Sequence, residues 1–66
     1  MAKTVFSVLI DKFAEDITSA TQFLVNGGAK TFDEYREVVG RIRGLQLATQ
    51  TTEDLLRSQM EDDDNE

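Results

Sequence analysis

Two stripes of apolar residues, separated by a pair of glycines, constrain the fold of this chain more than any other feature. In each stripe the apolar positions recur alternately three and four residues apart, which places them on one side of an α-helix. The spacing is that of a coiled-coil seam, so it predicts two helices that pack against each other. The first stripe is Phe6, Ile10, Phe13, Ile17, Ala20 and Leu24, and the second is Tyr35, Val38, Ile42, Leu45, Thr49, Thr52 and Leu56.

Signals for helix ends flank both stripes. Thr4 is a candidate N-cap for the first helix, with Ser7 as an alternative. Gly27 follows the last apolar position of that helix, and glycine readily adopts the left-handed conformation that closes a helix C-terminus. The second helix begins with a capping box, in which Thr31 and Glu34 satisfy each other's backbone amides. These signals predict a helix at residues 4–26, a turn at 27–30 and a helix at 31–60.

The predicted fold is an all-α antiparallel two-helix hairpin over residues 1–60, followed by an acidic tail at 61–66. A connection this short makes its helices antiparallel neighbours. A chain of 66 residues without cysteine buries too little surface to be stable by its own core alone. We therefore expect the hairpin to complete its core by self-association or by docking on a larger assembly, and we expect an oligomer.

Charge is distributed unevenly along the chain. The net charge is -6, and five of the thirteen acidic residues lie in the last six positions, EDDDNE. The remaining body is nearly neutral, which argues against a broad basic face for nucleic acid. Lys30, Arg36, Arg41 and Arg43 cluster with acidic residues between them. Solvated ion pairs are the favoured interpretation of this cluster, and contact with phosphate is the alternative.

The acidic tail permits two interpretations. A run of like charges is typical of a disordered solubility segment. The same run, residues 61–66, is also suited to binding a basic partner or to mimicking phosphate.

No residue pattern indicates catalysis or a bound cofactor. The chain contains neither histidine nor cysteine, and no phosphate-binding glycine loop is present in the sequence. Asp11, Glu15 and Asp16 fall on a polar helix face that should stay hydrated, whereas a catalytic carboxylate needs a pocket. We expect a protein that is not an enzyme, with no metal, no cofactor and no membrane span, located in the cytoplasm by default.

Candidate interaction residues lie in the second helix. Gly40, Gly44 and Ala48 place a small residue at every fourth position. Such a row allows another backbone to approach closely, although tolerated flexibility or a slight bend is the slightly favoured explanation of the glycines. The predicted helices span roughly 33 Å and roughly 43 Å at about 1.5 Å per residue. The longer one should therefore overhang the shorter, leaving Leu55, Leu56 and Met60 to meet another chain.

One stretch of the second helix resembles known proteins. The run YREVVGRIRGL at residues 35–45, preceded by Gly27, Gly28 and Ala29, is similar to small two-helix proteins encoded by tailed bacteriophages, where an acidic end often follows. Genes for such proteins tend to lie in the head and tail assembly region. The resemblance implies a role in the virion or its assembly, and a location in the virion or the host cytoplasm. It transfers no functional residue.

Two functions follow as expectations. The first is a non-enzymatic phage structural or assembly protein that docks on a head, portal or other virion component through helical packing. The alternative is a small acidic inhibitor of a host enzyme that acts by partial nucleic-acid mimicry. An RNA-binding helical dimer is disfavoured by the charge balance.

Overall fold

The computed structural model of the protein describes the backbone of residues 4–64 and the side chains of residues 4–59. It consists of two helices, α1 at Val5–Val25 and α2 at Phe32–Asp64. The helices pack against each other in antiparallel directions, because Ala20 lies at the level of Val38 while Asp16 lies at the level of Leu45. The predicted helical hairpin is confirmed, and it forms a rod 54 Å long and 21 Å by 12 Å across.

Thr4 caps the start of α1, as the sequence predicts. Its backbone is extended, with ψ 166°, and its hydroxyl accepts a hydrogen bond of 3.1 Å from the Ser7 amide. The Ser7 hydroxyl donates in return to the Thr4 carbonyl at 3.0 Å. Ser7 therefore supports the cap from inside the first turn.

The reversal between the helices is a Schellman motif. Gly27 has a φ of 77°, in the left-handed region where a side chain would be strained. The Gly28 amide donates to the Phe23 carbonyl at 2.8 Å, and the Gly27 amide donates to the Leu24 carbonyl at 3.1 Å. A Cβ at Gly28 would overlap the Phe23 ring, which lies directly on this glycine. The backbone conformation thus favours glycine at Gly27, whereas a side chain at Gly28 would require the exposed Phe23 ring to move.

The capping box at the start of α2 forms with one change of partner. The Glu34 amide donates to the Thr31 hydroxyl at 3.1 Å, as predicted. The Glu34 carboxylate accepts from the Lys30 amide at 2.6 Å, whereas the sequence pattern predicts the Thr31 amide. The carboxylate thus bonds to the residue before Thr31, and this hydrogen bond connects the turn to the first turn of α2. It still lies at the positive end of the helix dipole, where a negative charge is stabilising.

The seam between the helices contains the residues that the spacing predicts, apart from Tyr35. All six predicted α1 positions are half-buried, and so are Val38, Ile42, Leu45, Thr49 and Leu56 of α2. Thr52 is the most deeply buried residue among the described side chains, at 8% exposure. The hydroxyls of Thr49 and Thr52 donate to the Leu45 and Ala48 carbonyls at 2.9 and 2.8 Å. Because these bonds lie within α2, the threonines add no unpaired polar group to the seam.

Tyr35 lies outside the seam, contrary to its place in the predicted stripe. Its side chain is 49% exposed. The register puts this first turn of α2 beyond Val25, where α1 has already ended. The ring stacks on Phe32 instead, with centroids 6.3 Å apart.

Helix α2 continues past Met60 to Asp64, into the segment that the sequence assigns to a tail. Nothing between Leu55 and Asp64 is a glycine or proline that would stop the helix, and each further turn adds backbone hydrogen bonds. The last turn is acidic and contains no basic residue, which is unfavourable at the negative end of a helix dipole.

We expect Ile42→Asp to destabilise the hairpin strongly, since it places a carboxylate on the half-buried seam. The free energy of unfolding should fall by about 3 kcal/mol or more, close to the total stability of so small a chain. Urea unfolding followed by circular dichroism measures this change. Gln46→Asp, at an exposed position of the same helix, is the control and should shift stability by about 0.5 kcal/mol or less. Equal urea midpoints for the two variants would contradict the burial of Ile42 between the two helices.

Candidate interaction surface

An open groove runs between the helices near the turn. Its walls include Phe23 and Gly28 on one side and Val38 and Arg41 on the other, and its volume is about 370 Å³. Small-molecule pockets start at roughly 300 Å³, but they enclose most of the ligand. This groove is open to solvent along its length, so it suits side chains that project from another protein.

The face of the hairpin onto which this groove opens also carries exposed apolar side chains. Residues seven apart lie on the same side of a helix. Leu9 and Phe23 of α1 are exposed and lie in line with Asp16, which borders the groove. Leu55 of α2 is 53% exposed and lies in line with Arg41. We call this surface the groove face; it comprises Leu9, Asp16, Phe23, Arg41, Ala48 and Leu55.

The row of small residues runs obliquely along α2, from the outer face at Gly40 to the groove face at Ala48. Gly40 is in line with Leu47 on the outer face of α2, while Gly44 borders the groove face next to Ala48. A Cβ built on Gly40 or Gly44 meets no atom within 4 Å in the described part of the chain. No contact within the hairpin therefore requires either glycine, and their cost of about 1 kcal/mol each relative to alanine is not offset there.

The other predicted interaction residues fall into three environments. Ala48 is half-buried at the edge of the groove face, and Leu55 is exposed on it. Leu56 is half-buried in the seam, so it is not part of the uncovered overhang in which the sequence prediction places it. The half-burial of Leu56 indicates that α1 reaches this far along α2. The side chain of Met60 lies outside the described residues, as do those of the acidic segment 61–66.

Besides the groove face, the structure shows an apolar cluster at the turn end that was not predicted from the sequence. We call it the turn-end aromatic cluster; it comprises Phe32, Tyr35, Arg36 and Val25. Phe32 is 71% exposed and stacks on Tyr35, and the guanidinium of Arg36 lies 5.9 Å from the Phe32 ring centre. Val25 is also exposed at this end of the hairpin. Aromatic and arginine side chains are the types most enriched in protein interfaces. The three-residue spacing of Phe32 and Tyr35 on one helix was the signal available in the sequence.

Charged side chains on the described surface are solvated. Asp11, Glu15 and Asp16 are all exposed, and Asp16 lies at the rim of the open groove. Arg57 pairs with Asp54 at 3.7 Å, and the exposure of both partners makes this pair worth about 1 kcal/mol or less. Among the residues searched, no group of acidic side chains is arranged to hold a metal ion. Neither helix, over its described length, is apolar enough to span a membrane.

No protein-family model matches the chain, and no curated protein or solved structure shows significant similarity to it. The groove face and the turn-end aromatic cluster are therefore identified from the structure of this chain, without residues transferred from a relative.

We expect Gly44→Leu to stabilise the dilute, isolated hairpin while weakening contacts made through the groove face. Leucine favours the helix over glycine by about 0.8 kcal/mol, and the new side chain enters open space. Thermal unfolding by circular dichroism measures the gain. Gly44→Ala should stabilise the hairpin by a similar amount. Because its side chain is far smaller, it should weaken binding less than Gly44→Leu does. Unchanged binding by Gly44→Leu would contradict a role for this position in a contact surface.

Proposed function

We propose that this protein is a non-enzymatic interaction module that docks on another protein by helical packing. The observation that supports this most directly is the lack of any buried hydrophobic side chain among residues 4–59. Large apolar groups such as Leu55 and Phe32 remain in solvent on both sides of the seam. Since burial of a leucine or phenylalanine side chain contributes about 1.5–3 kcal/mol, a partner that covers these groups gains a substantial driving force.

The form of the surface favours a helical partner. Two parallel ridges with a groove between them offer the shape into which a third helix packs, with interaxial distances of about 8–10 Å. The groove is bordered by Phe23, Val38 and Leu45 together with the oppositely charged Asp16 and Arg41. Such a mixture of apolar floor and charged rim is the usual composition of a protein interface.

The particular assembly that we propose is a tailed-phage particle, with a head or portal component as the docking site. The support for this is the resemblance of the YREVVGRIRGL run to small phage-encoded two-helix proteins. The protein would then reside in the virion or in the host cytoplasm during assembly.

Mass spectrometry of purified particles tests this proposal. We expect the chain to be present in mature virions or in assembly intermediates in a fixed ratio to one head or tail component. Leu55→Asp should reduce that ratio, whereas Leu47→Asp, at a more exposed position on the outer face, should leave it unchanged. Reproducible absence of the chain from both mature particles and intermediates would refute the phage assignment.

A second candidate function is inhibition of a host enzyme through the acidic end. The observation that favours it is the continuation of α2 as a helix to Asp64, which arranges the acidic residues 61–64 on a regular backbone. In this alternative the helix end would substitute for a phosphate backbone on a basic surface.

Deletion of residues 61–66 separates the two functions. The inhibitor function predicts a loss of binding of at least tenfold, with the difference from the full chain disappearing at high salt because the interaction is ionic. The docking function predicts a change of less than about threefold, since the groove face is untouched. The measurement is the dissociation constant at low and high salt, with Asp54→Asn as a control for loss of an exposed charge elsewhere on α2.

A further inference from the structure

We propose that the groove face binds a second copy of this chain, with the two hairpins antiparallel, to form a four-helix bundle. This inference rests on the proposed interaction function and names the partner of that surface. In the bundle, α2 of one copy lies against α2 of the other, and the turns point to opposite ends.

The exposed area matches what one such contact buries. The accessible surface of the chain is 5438 Å², for a mass of 7.4 kDa. A folded monomer of that mass exposes about 4,200 Å², so the hairpin has an excess of about 1,200 Å². A standard protein interface buries about 800 Å² on each partner. The hairpin thus exposes enough excess surface to accommodate one standard interface with a second copy.

Charge decides the relative direction of the copies. The turn half of the hairpin, residues 17–43, carries four basic and three acidic side chains, a net charge of +1. The open half, residues 1–16 and 44–66, carries three basic and ten acidic side chains, a net charge of -7. Copies stacked with their turns together would bring both acidic halves into contact, which is strongly repulsive. Copies with their turns apart avoid this contact and place the acidic segment 56–66 of each copy beside the turn half of the other.

Two-fold symmetry then fixes which helices meet. When two hairpins stack face to face with their turns at opposite ends, each helix lies on its own counterpart. The overhang of α2 beyond α1 consequently lies along the turn end of the other copy's α2, next to the open groove. The end of α2 that extends beyond α1 is thus packed against α2 of the other copy.

The residues of α2 on this face fit such a contact. Gly44, Ala48, Thr51 and Leu55 recur at spacings of four, three and four, which repeats the seam pattern on a second side of the helix. With Leu55 of one copy opposite Gly44 of the other, symmetry repeats the contact and sets Ala48 opposite Thr51. The empty space around Gly44 receives the exposed Leu55 side chain. This gives the glycine the function that it lacks within a single hairpin.

Light scattering and distance measurements on the full chain test the inference. We expect a mass of twice 7.4 kDa at micromolar concentration. Because the chain has no cysteine, Gln59→Cys introduces a single site for a nitroxide label. If the copies are antiparallel and the two-fold axis passes between Ala48 and Thr51, the two labels are roughly 30 Å apart. If the copies have their turns together, the labels are roughly 15 Å apart.

The face is tested by a matched pair of variants. Leu55→Lys should weaken the dimer at least tenfold, because each dimer contains the contact twice. Leu47→Lys removes an even more exposed leucine, 65% exposed, from the outer face beside Arg43 and Gln50, and should leave the dimer intact. Helicity of each variant, measured by circular dichroism, confirms that the hairpin itself is retained.

Each outcome has a distinct meaning. A monomer at all accessible concentrations would overturn the second-copy inference, while leaving the proposed docking on a different protein in place. A dimer with the short label distance would overturn the antiparallel orientation. A dimer weakened by Leu47→Lys and not by Leu55→Lys would overturn the assignment to the groove face. Absence from phage particles bears on none of these results, so the two proposals fail separately.

Discussion

The contact between the helices depends on how the chain reverses direction. The hydrogen bond from the Gly28 amide to the Phe23 carbonyl closes α1, and the Thr31 hydroxyl opens α2 only a few residues later. The bond between Glu34 and the Lys30 amide joins these two caps into one rigid turn. Because the turn fixes the register of a single seam, an error there would displace every apolar pair along the rod.

The seam is the whole of the hairpin's interior, and it is thin. Two helices bury only one side of each other, so even the central residues Ile42 and Leu45 remain partly in contact with water. The threonines in the middle of α2 contribute methyl groups while their hydroxyls bond within the helix. Marginal stability of the isolated chain follows directly, because the apolar area removed from water is small against the conformational entropy lost by the backbone.

The local signals in the sequence predicted most of the fold because they act over a few residues. The caps at Thr4 and Thr31, the glycine turn and the three-and-four spacing all operate within one or two helical turns. Tyr35 was placed wrongly because periodicity says which side a residue faces and not whether another helix extends far enough to meet it. Leu56 was assigned correctly to the stripe, but its place in the uncovered overhang was wrong because α1 extends far enough to cover it.

The candidate surface was less predictable than the fold. Exposure of Leu55 was predicted from its place near the end of the longer helix, but the groove face requires the angle and register of both helices. The same three-dimensional placement is needed to see that Gly44 and Ala48 are the small residues nearest to this face. The turn-end aromatic cluster depends on the point at which α1 stops, since one further turn of α1 would have covered Tyr35.

The unequal charge of the two halves of the rod also affects how fast the protein finds any partner. With its excess negative charge at one end of a rod 54 Å long, the molecule has a large electric dipole moment and turns in the field of a charged surface before contact. Encounters with a basic surface would therefore occur mainly with the open end leading. Such steering accelerates association at low ionic strength and weakens as the Debye length shrinks to about 8 Å at physiological salt. The distribution of charge along the chain thus sets the orientation of approach. The apolar contacts, in contrast, determine how long a complex lasts.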